Sequence, residues 1–119
     1  MPAKPFAFPK SRRLTRSPEF EQVRKKGRVQ RGHLLVLSAV AGEGKGFRAG
    51  FITSRAIGRA VVRNRVRRRL REIVRKHQNE ILDGVWIVTI ARMSAAKAPY
   101  AELEAEWLRL AGRASILAA

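Results

Sequence analysis

The stretch VVRNRVRRRLRE, residues 61–72, predicts a long helix with an unusual density of positive charge. Apolar positions recur at intervals of four, four, three and four, which is the spacing of one helical face. The stripe consists of Val62, Val66, Leu70, Ile73 and His77. We therefore expect a helix over about residues 59–79 that packs this stripe against a sheet, with His77 as a core residue.

Arginines occupy the other faces of the predicted helix. Six of them lie between Arg63 and Arg71, whereas Glu72 is the sole acidic residue between Arg48 and Lys76. Solvated helix faces usually mix signs, because like charges four residues apart cost about 0.2–0.5 kcal/mol per pair. A guanidinium group can grip phosphate through two parallel hydrogen bonds. The pattern therefore favours a phosphate-binding helix face over a merely solvated one.

The composition of the whole chain favours the same kind of partner. Its 119 residues indicate one domain, and 26 Lys+Arg against 9 Asp+Glu give a net charge of +17, which predicts attraction to a polyanion. A membrane-surface helix needs a bulkier apolar face than this valine-rich stripe. No helix-turn-helix pair, zinc-ligand pattern or basic zipper indicates DNA. RNA is favoured over DNA and membrane, although composition alone does not establish it.

The compartment and the domain limits follow from the ends of the chain and its residue usage. The sequence has no cysteine, no run of 18 apolar residues and no apolar signal segment at its start, so we expect a cytoplasmic protein without disulfides or transmembrane helices. Residues 1–16 contain three prolines and five Lys/Arg, which predicts a mobile basic arm. Residues 17–119 are then a single domain.

The remaining elements are read from apolar runs and turn residues. Ser17 is a candidate N-cap for a first helix that Gly27 can end. HLLVLSAV at 33–40 and FRAGFITS at 47–54 predict two strands, joined as a hairpin by a glycine-rich turn. VWIVTIA at 85–91 predicts a covered central strand, and a last helix runs from near Pro99 to near Gly112. The order α-β-β-α-β-α predicts an α/β (α+β) sandwich, with a sheet of about three to four strands packed against three helices.

The residue types do not predict catalysis by the protein alone. A metal-dependent nuclease needs clustered carboxylates, yet no acidic residue lies between Arg48 and Arg71. Metal-free cleavage needs two histidines and a lysine that face one phosphate, but of the two histidines present His77 falls on the stripe expected to be buried and His33 opens a strand. We therefore expect no catalytic residue and no metal site on the protein itself. A basic ribosomal or assembly protein and an autonomous metal nuclease are the alternative classes.

Residues 47–73, FRAGFITSRAIGRAVVRNRVRRRLREI, closely resemble the signature region of the bacterial ribonuclease P protein family. The pattern is a strand with Arg-x-Gly, then Ser-x-x-x-Gly-x-Ala-Val, then Arg-Asn-Arg and further basic positions. The residues that match it are Arg48, Gly50, Ser54, Gly58, Ala60, Val61, Arg63, Asn64, Arg65, Arg67, Arg68 and Arg71. The likeness spans about residues 12–92, and the spacing over 54–71 argues against a generic ribosomal protein.

The resemblance implies a protein subunit that pairs with a large catalytic RNA. In that family the holoenzyme is an endonuclease that removes the 5′ leader of precursor tRNA, and the RNA performs the hydrolysis with Mg²⁺, bound mainly through the RNA. The protein alone is expected to be inactive. The resemblance also implies a left-handed crossover from the second to the third strand, against the general right-handed rule.

The resemblance also implies two sets of site residues. The RNA-contacting set on the arginine helix is Arg63, Asn64, Arg65, Arg67, Arg68 and Arg71. The set lining a cleft for the leader, between the first helix and the sheet, is Phe20, Arg24, Leu35, Leu37 and Arg48. Arg24 and Ser38 stand where the family often has aromatic residues, and stacking is worth roughly 1–3 kcal/mol per base. Leader binding is therefore expected to depend more on charge and aliphatic contact.

Overall fold

A computed structural model describes residues 13–14, 17–42, 44 and 46–118. Most of the arm predicted at residues 1–16 lies outside the described residues. Its described part, residues 13–14, packs against the sheet, because Leu14 is buried and its backbone N–H donates to the carbonyl of Ala49 at 2.9 Å. Arg13 and Ala49 form a parallel bridge there. The chain is therefore anchored to the sheet edge before the first helix begins. Mobility of the arm stays a prediction.

Three helices and four strands make up the described chain. The helices are α1 (Ser17–Lys26), α2 (Ala60–Lys76) and α3 (Tyr100–Arg113). The strands are β1 (Arg28–Arg31), β2 (Leu35–Ala41), β3 (Arg48–Ile52) and β4 (Val85–Ala91). Short 3-10 helices span Arg55–Ile57, Gln78–Glu80 and Met93–Lys97. The predicted α/β class is confirmed, with one strand more than the predicted order contained.

The sheet has the order β1-β2-β4-β3. The predicted hairpin between 33–40 and 47–54 is wrong, because β2 pairs antiparallel with β1 and β4, while β3 pairs in parallel with β4. β1 has the sequence RVQR at a sheet edge, so its single apolar residue gave no strand signal. The apolar strand β4 takes the central place that its sequence predicted. Helix α2 forms the crossover from β3 to β4, and its left-handedness stays a prediction.

The two faces of the sheet are covered to different extents. Helices α2 and α3 pack on one face, where Leu70, Ile87 and Trp107 are fully buried. On the other face, a small cluster joins Val23 of α1 to Val88 of β4, and Val23 is the only residue of α1 that is buried. One ten-residue helix cannot cover four strands, so part of this second face, the α1 face, stays open.

Helix α2 packs largely as its stripe predicts. Val66, Leu70, Ile73 and Val74 are buried, and Val62 is partly buried. His77 is not the packed core residue that the stripe predicted, because it lies just beyond the helix and its ring contacts two carboxylates. None of the helices in the described part of the chain is long and apolar enough to cross a membrane.

Candidate nucleic-acid interface

The open part of the α1 face is a row of four residues, one from each strand. The registers pair Arg31 with Val36, Val36 with Ile90, and Ile90 with Ile52. Arg31 is exposed and the other three are half-buried. Strands spaced by about 4.8 Å make such a row about 14 Å long. We call this row the cleft floor; it is apolar over three strands and ends in a cation at the β1 edge.

Helix α1 forms one wall above the cleft floor. A cavity of about 400 Å³ lies between α1 and the β3 end of the cleft floor, where Ile52 lines it. The other lining residues are Ser17, Phe20, Glu21, Arg24, Phe51, Thr53 and Arg67. The ring of Phe20 rests directly on Gly50, where a Cβ atom would come within 2.5 Å of the ring. Any larger residue at position 50 would displace the aromatic wall. Phe20 and Arg24, which the resemblance places in the cleft, both line this cavity. Their contact with a leader stays a prediction.

Leu35 and Leu37, which were predicted to line the cleft, lie on the wrong face for that role. Both are fully buried in the core beneath α2 and α3. Their neighbour Val36 faces the cleft instead, because successive side chains of a strand point to opposite faces. The sequence LVLSAVA is apolar at almost every position, so it contains no alternation that could have chosen between the faces.

Arg48 also lies outside the cleft, although it is on the α1 face. It belongs to a row with Trp86, and the row containing Gly50, beneath Phe20, separates it from the cleft floor. Its guanidinium group pairs with Glu19, donates to the carbonyl of Arg13 at 2.9 Å and lies 5.5 Å from the Trp86 ring centroid. These contacts hold the start of α1 and the N-terminal segment against β3.

The arginines of α2 divide into two edges. On the outer edge, Asn64, Arg67, Arg68 and Arg71 line a polar recess of about 200 Å³. Arg67 donates to two side-chain acceptors that orient it, Oδ1 of Asn64 at 3.2 Å and the hydroxyl of the buried Thr53 at 2.6 Å. Arg63 lies one turn before Arg67, and Arg68 is exposed. This edge presents guanidinium groups to solvent beside the cleft.

On the docked edge of α2, two arginines bond to backbone carbonyls. Arg65 donates to Ala96 at 3.2 Å, and Arg69 donates to Ala98 at 3.1 Å. Both carbonyls lie in the segment around the 3-10 helix Met93–Lys97 that leads into α3. Arg65 is exposed, does not line the recess and donates to this segment, so its predicted contact with RNA stays a prediction.

The electrostatics of the outer edge are those of crowded like charges. Burial, followed by the nearby charges of Arg13 and Arg67, lowers the pKa of Arg71. The Nε atom of Arg71 is buried without a hydrogen-bond partner in the described chain. Within the described residues, no group of three or more histidine or acidic side chains could hold a metal ion. The site therefore offers anion-binding groups.

Several of these residues were missed by sequence reasoning. Val36, Ile52 and Ile90 of the cleft floor become visible only through the strand registers. Thr53 could have been suspected, because a polar residue at the end of an apolar strand often meets a charged neighbour. Arg13 was assigned to the arm, and nothing local in the sequence indicates that it lies beside Arg71.

Known proteins resemble this chain in sequence and in fold. The model of the Ribonuclease P family matches residues 8–115. The chain belongs to the ribonuclease P protein family. Ribonuclease P protein components of Acidothermus cellulolyticus and Dehalococcoides mccartyi are 45% and 42% identical over 108 and 107 residues, covering 89% and 90% of this chain and 90% and 88% of theirs. The ribonuclease P protein of Staphylococcus aureus superposes with a TM-score of 0.82 at 26% identity, over 90% of this chain and 98% of that one.

Membership in the ribonuclease P protein family indicates the role of the chain. Family members are subunits of an endoribonuclease holoenzyme, and RNA binding with processing of the tRNA leader is the family function. The partners that follow are the ribonuclease P RNA and precursor tRNA. The predicted family, fold class and function are thus confirmed, whereas the roles of individual residues stay predictions.

Proposed function

We propose that one continuous surface of this protein binds both the catalytic RNA of ribonuclease P and the 5′ leader of precursor tRNA. The observation that carries the proposal is the position of Arg67, which lines both the recess on α2 and the cavity between α1 and the β3 end of the cleft floor. Because one side chain belongs to both, RNA lying in the cleft passes directly onto the arginine helix. A leader and the catalytic RNA can therefore be held next to each other.

The cleft suits the single-stranded leader. Its floor of Val36, Ile90 and Ile52 offers aliphatic surface to bases, and Phe20 offers one aromatic wall. Arg24 and Arg31 place cations on either side, where a backbone would run. Single strands are commonly bound by such a combination of a basic groove and stacking groups. Leu35, Leu37 and Arg48 have no direct part in this proposal.

The outer edge of α2 suits the phosphates of the catalytic RNA. Arg63, Arg67, Arg68 and Arg71, with Asn64 between them, present several guanidinium forks in one row, and phosphate is the anion that such forks fit. Mg²⁺ prefers oxygen ligands, so we expect it to be bound mainly through the RNA. Catalysis by the RNA, a cytoplasmic location, and the absence of DNA or membrane partners stay predictions.

The test is cleavage of the 5′ leader from a precursor tRNA at low Mg²⁺. Three reactions are compared: the cognate catalytic RNA alone, the protein alone, and both together. We expect efficient cleavage only with both. Cleavage by the protein alone would make it a nuclease in its own right. Binding to RNA without any assistance to cleavage would point to the assembly-protein alternative.

A further inference from the structure

Three arginines from different parts of the chain converge at the junction between the cleft and α2. Arg13 comes from the N-terminal segment, and Arg67 and Arg71 come from successive turns of α2. They line a cavity of about 230 Å³ together with Leu14, Phe20, Ala49, Gly50 and Phe51. No acidic side chain is among these lining residues. We call this cavity the junction pocket.

Each of the three arginines is held in place by the fold. The backbone of Arg13 accepts a hydrogen bond from Arg48, and its neighbour Leu14 is bonded to Ala49. The guanidinium of Arg67 is oriented by Thr53. Leu70, the neighbour of Arg71, is fully buried. This burial fixes the rotation of α2 about its axis and therefore the side of the helix from which Arg71 extends. The fold therefore fixes the backbone of Arg13 and Arg71 and the guanidinium of Arg67, and groups positioned in advance lose less conformational entropy when a ligand binds.

Arg71 is crowded by like charges in the junction pocket. Proximity to Arg13 and Arg67 contributes to the lowered pKa of Arg71, and the buried Nε–H of Arg71 has no acceptor there. A buried donor without a partner costs free energy that a bound acceptor would recover. An anion with several oxygens would satisfy this donor and relieve the repulsion at once.

We propose that the junction pocket binds one RNA phosphodiester group, held by the guanidinium groups of Arg13, Arg67 and Arg71. A phosphate is favoured over a carboxylate because its oxygens can accept from more than one guanidinium fork. Phe20 and Phe51 line the same cavity, so an attached nucleoside meets aromatic surface. The identification of this RNA as the leader or the catalytic RNA rests on the function proposed above. The binding of a phosphate in the pocket does not depend on that function.

The first experiment measures binding of a short single-stranded RNA to the full-length protein by fluorescence anisotropy. Arg13→Gln and Arg71→Gln should each weaken binding about tenfold, as expected for losing a charge-assisted hydrogen bond. The control Arg113→Gln removes the same charge from an exposed position at the end of α3. Weakening by Arg13→Gln and Arg71→Gln no greater than that by Arg113→Gln would overturn the proposal.

Two conservative variants separate a shaped pocket from a general positive field. Arg71→Lys keeps the charge but removes the planar fork and its Nε–H, so we expect it to recover only part of the lost affinity. Thr53→Val keeps the volume but removes the hydroxyl that orients Arg67, and should weaken binding severalfold. Wild-type affinity in both variants would show that only net charge matters, which overturns the pocket. Thermal unfolding verifies that each variant is folded.

A second experiment identifies the source of the phosphate. Affinities of wild type and Arg71→Gln are measured for precursor tRNA with and without its leader, in the holoenzyme, and for the catalytic RNA alone. A loss confined to the leader-bearing substrate assigns the phosphate to the leader, and a loss with the catalytic RNA alone assigns it there. Suppose that Arg13→Gln and Arg71→Gln weaken binding of the short RNA more than Arg113→Gln does, but the wild-type protein never assists cleavage. The proposed function then fails and the pocket stands. If wild type assists and Arg71→Gln equals Arg113→Gln throughout, the pocket fails alone.

Discussion

The two edges of α2 carry the same residue type at neighbouring positions but meet different surroundings. On the docked edge, Arg65 and Arg69 reach the carbonyls of Ala96 and Ala98. On the outer edge, Arg68 is exposed, and it lines the recess with Arg67 and Arg71. The difference arises because the segment that carries the Ala96 and Ala98 carbonyls lies beside the docked edge.

This difference shows that the number of arginines overstates the binding surface. Six arginines between positions 63 and 71 suggest a uniform basic helix, but two of them serve the packing of the protein itself. A donor already bonded to the protein gains less from phosphate, since one hydrogen bond is exchanged for another. The outer edge should therefore account for most of the RNA affinity.

The largest expected effect is the salt dependence of RNA binding. If the outer edge neutralises about four phosphates, the log–log slope for single-stranded RNA is about −2.8, so tenfold more salt weakens binding by about 10²–10³. Arg68→Ala should reduce the magnitude of the slope by about 0.7, whereas Arg69→Ala should leave it nearly unchanged. Equal slopes for the two variants would erase the distinction between the edges.

The second effect is the loss of affinity in Arg68→Ala. Arg68 is exposed and lines the recess, so its removal should weaken binding of the catalytic RNA by about tenfold through a lost charge-assisted contact. The melting temperature should stay close to that of wild type, because surface substitutions typically change stability by less than about 0.5 kcal/mol. Filter binding and thermal unfolding measure the two quantities. A large drop in melting temperature would restore a structural role for the outer edge.

Arg69→Ala is the matched opposite, one residue further along the helix. It removes the hydrogen bond to Ala98, so we expect the free energy of unfolding to fall by about 1 kcal/mol. RNA affinity should change less than in Arg68→Ala. Chemical denaturation of both variants under the same conditions decides the point. Unchanged stability together with a strong binding defect would mean that Arg69 leaves its carbonyl and contacts RNA.

The sequence predicts the helices better than the way the strands pair. The bounds of α2 and α3 follow closely from the apolar spacing and from Pro99 and Gly112, because helical periodicity is a local property. Strand pairing depends on distant residues. Here β4 enters between β2 and β3, and turns near Gly42, Gly46 and Gly84 are joined by backbone hydrogen bonds that no local pattern shows.

The same limit applies to the candidate site. The outer edge of α2 was predictable, because it depends on the spacing within one helix. The cleft floor was not, since the choice between Leu35 and Val36 depends on which face of β2 α1 covers. The junction pocket was also hidden, because Arg13 lies 58 residues before Arg71 in the sequence and reaches it only through the bridge to β3.

The smallest expected effect concerns His77, which follows the end of α2 and lies against two carboxylates. The His77 ring contacts Glu80 and Glu104, and Lys76 pairs with Glu104 at 3.0 Å. Burial alone lowers the pKa of His77, but hydrogen bonds to Glu104 and Glu80 outweigh it, so the pKa lies above 6.5. A raised folded pKa means that this stabilisation is complete below about 6.5 and is lost as the pH rises through the folded value.

The pKa of Glu104 is lowered from 4.5 by its hydrogen bonds to His77 and Lys76, so that carboxylate stays charged across the window in which His77 titrates. His77→Gln should therefore reduce the melting temperature more at pH 5.5 than at pH 8.5. His33→Gln is the control, because it makes the same substitution at an exposed histidine. A His77→Gln effect that does not depend on pH would mean that the ring contributes packing rather than charge. His77 would then belong with the apolar stripe that its spacing first suggested.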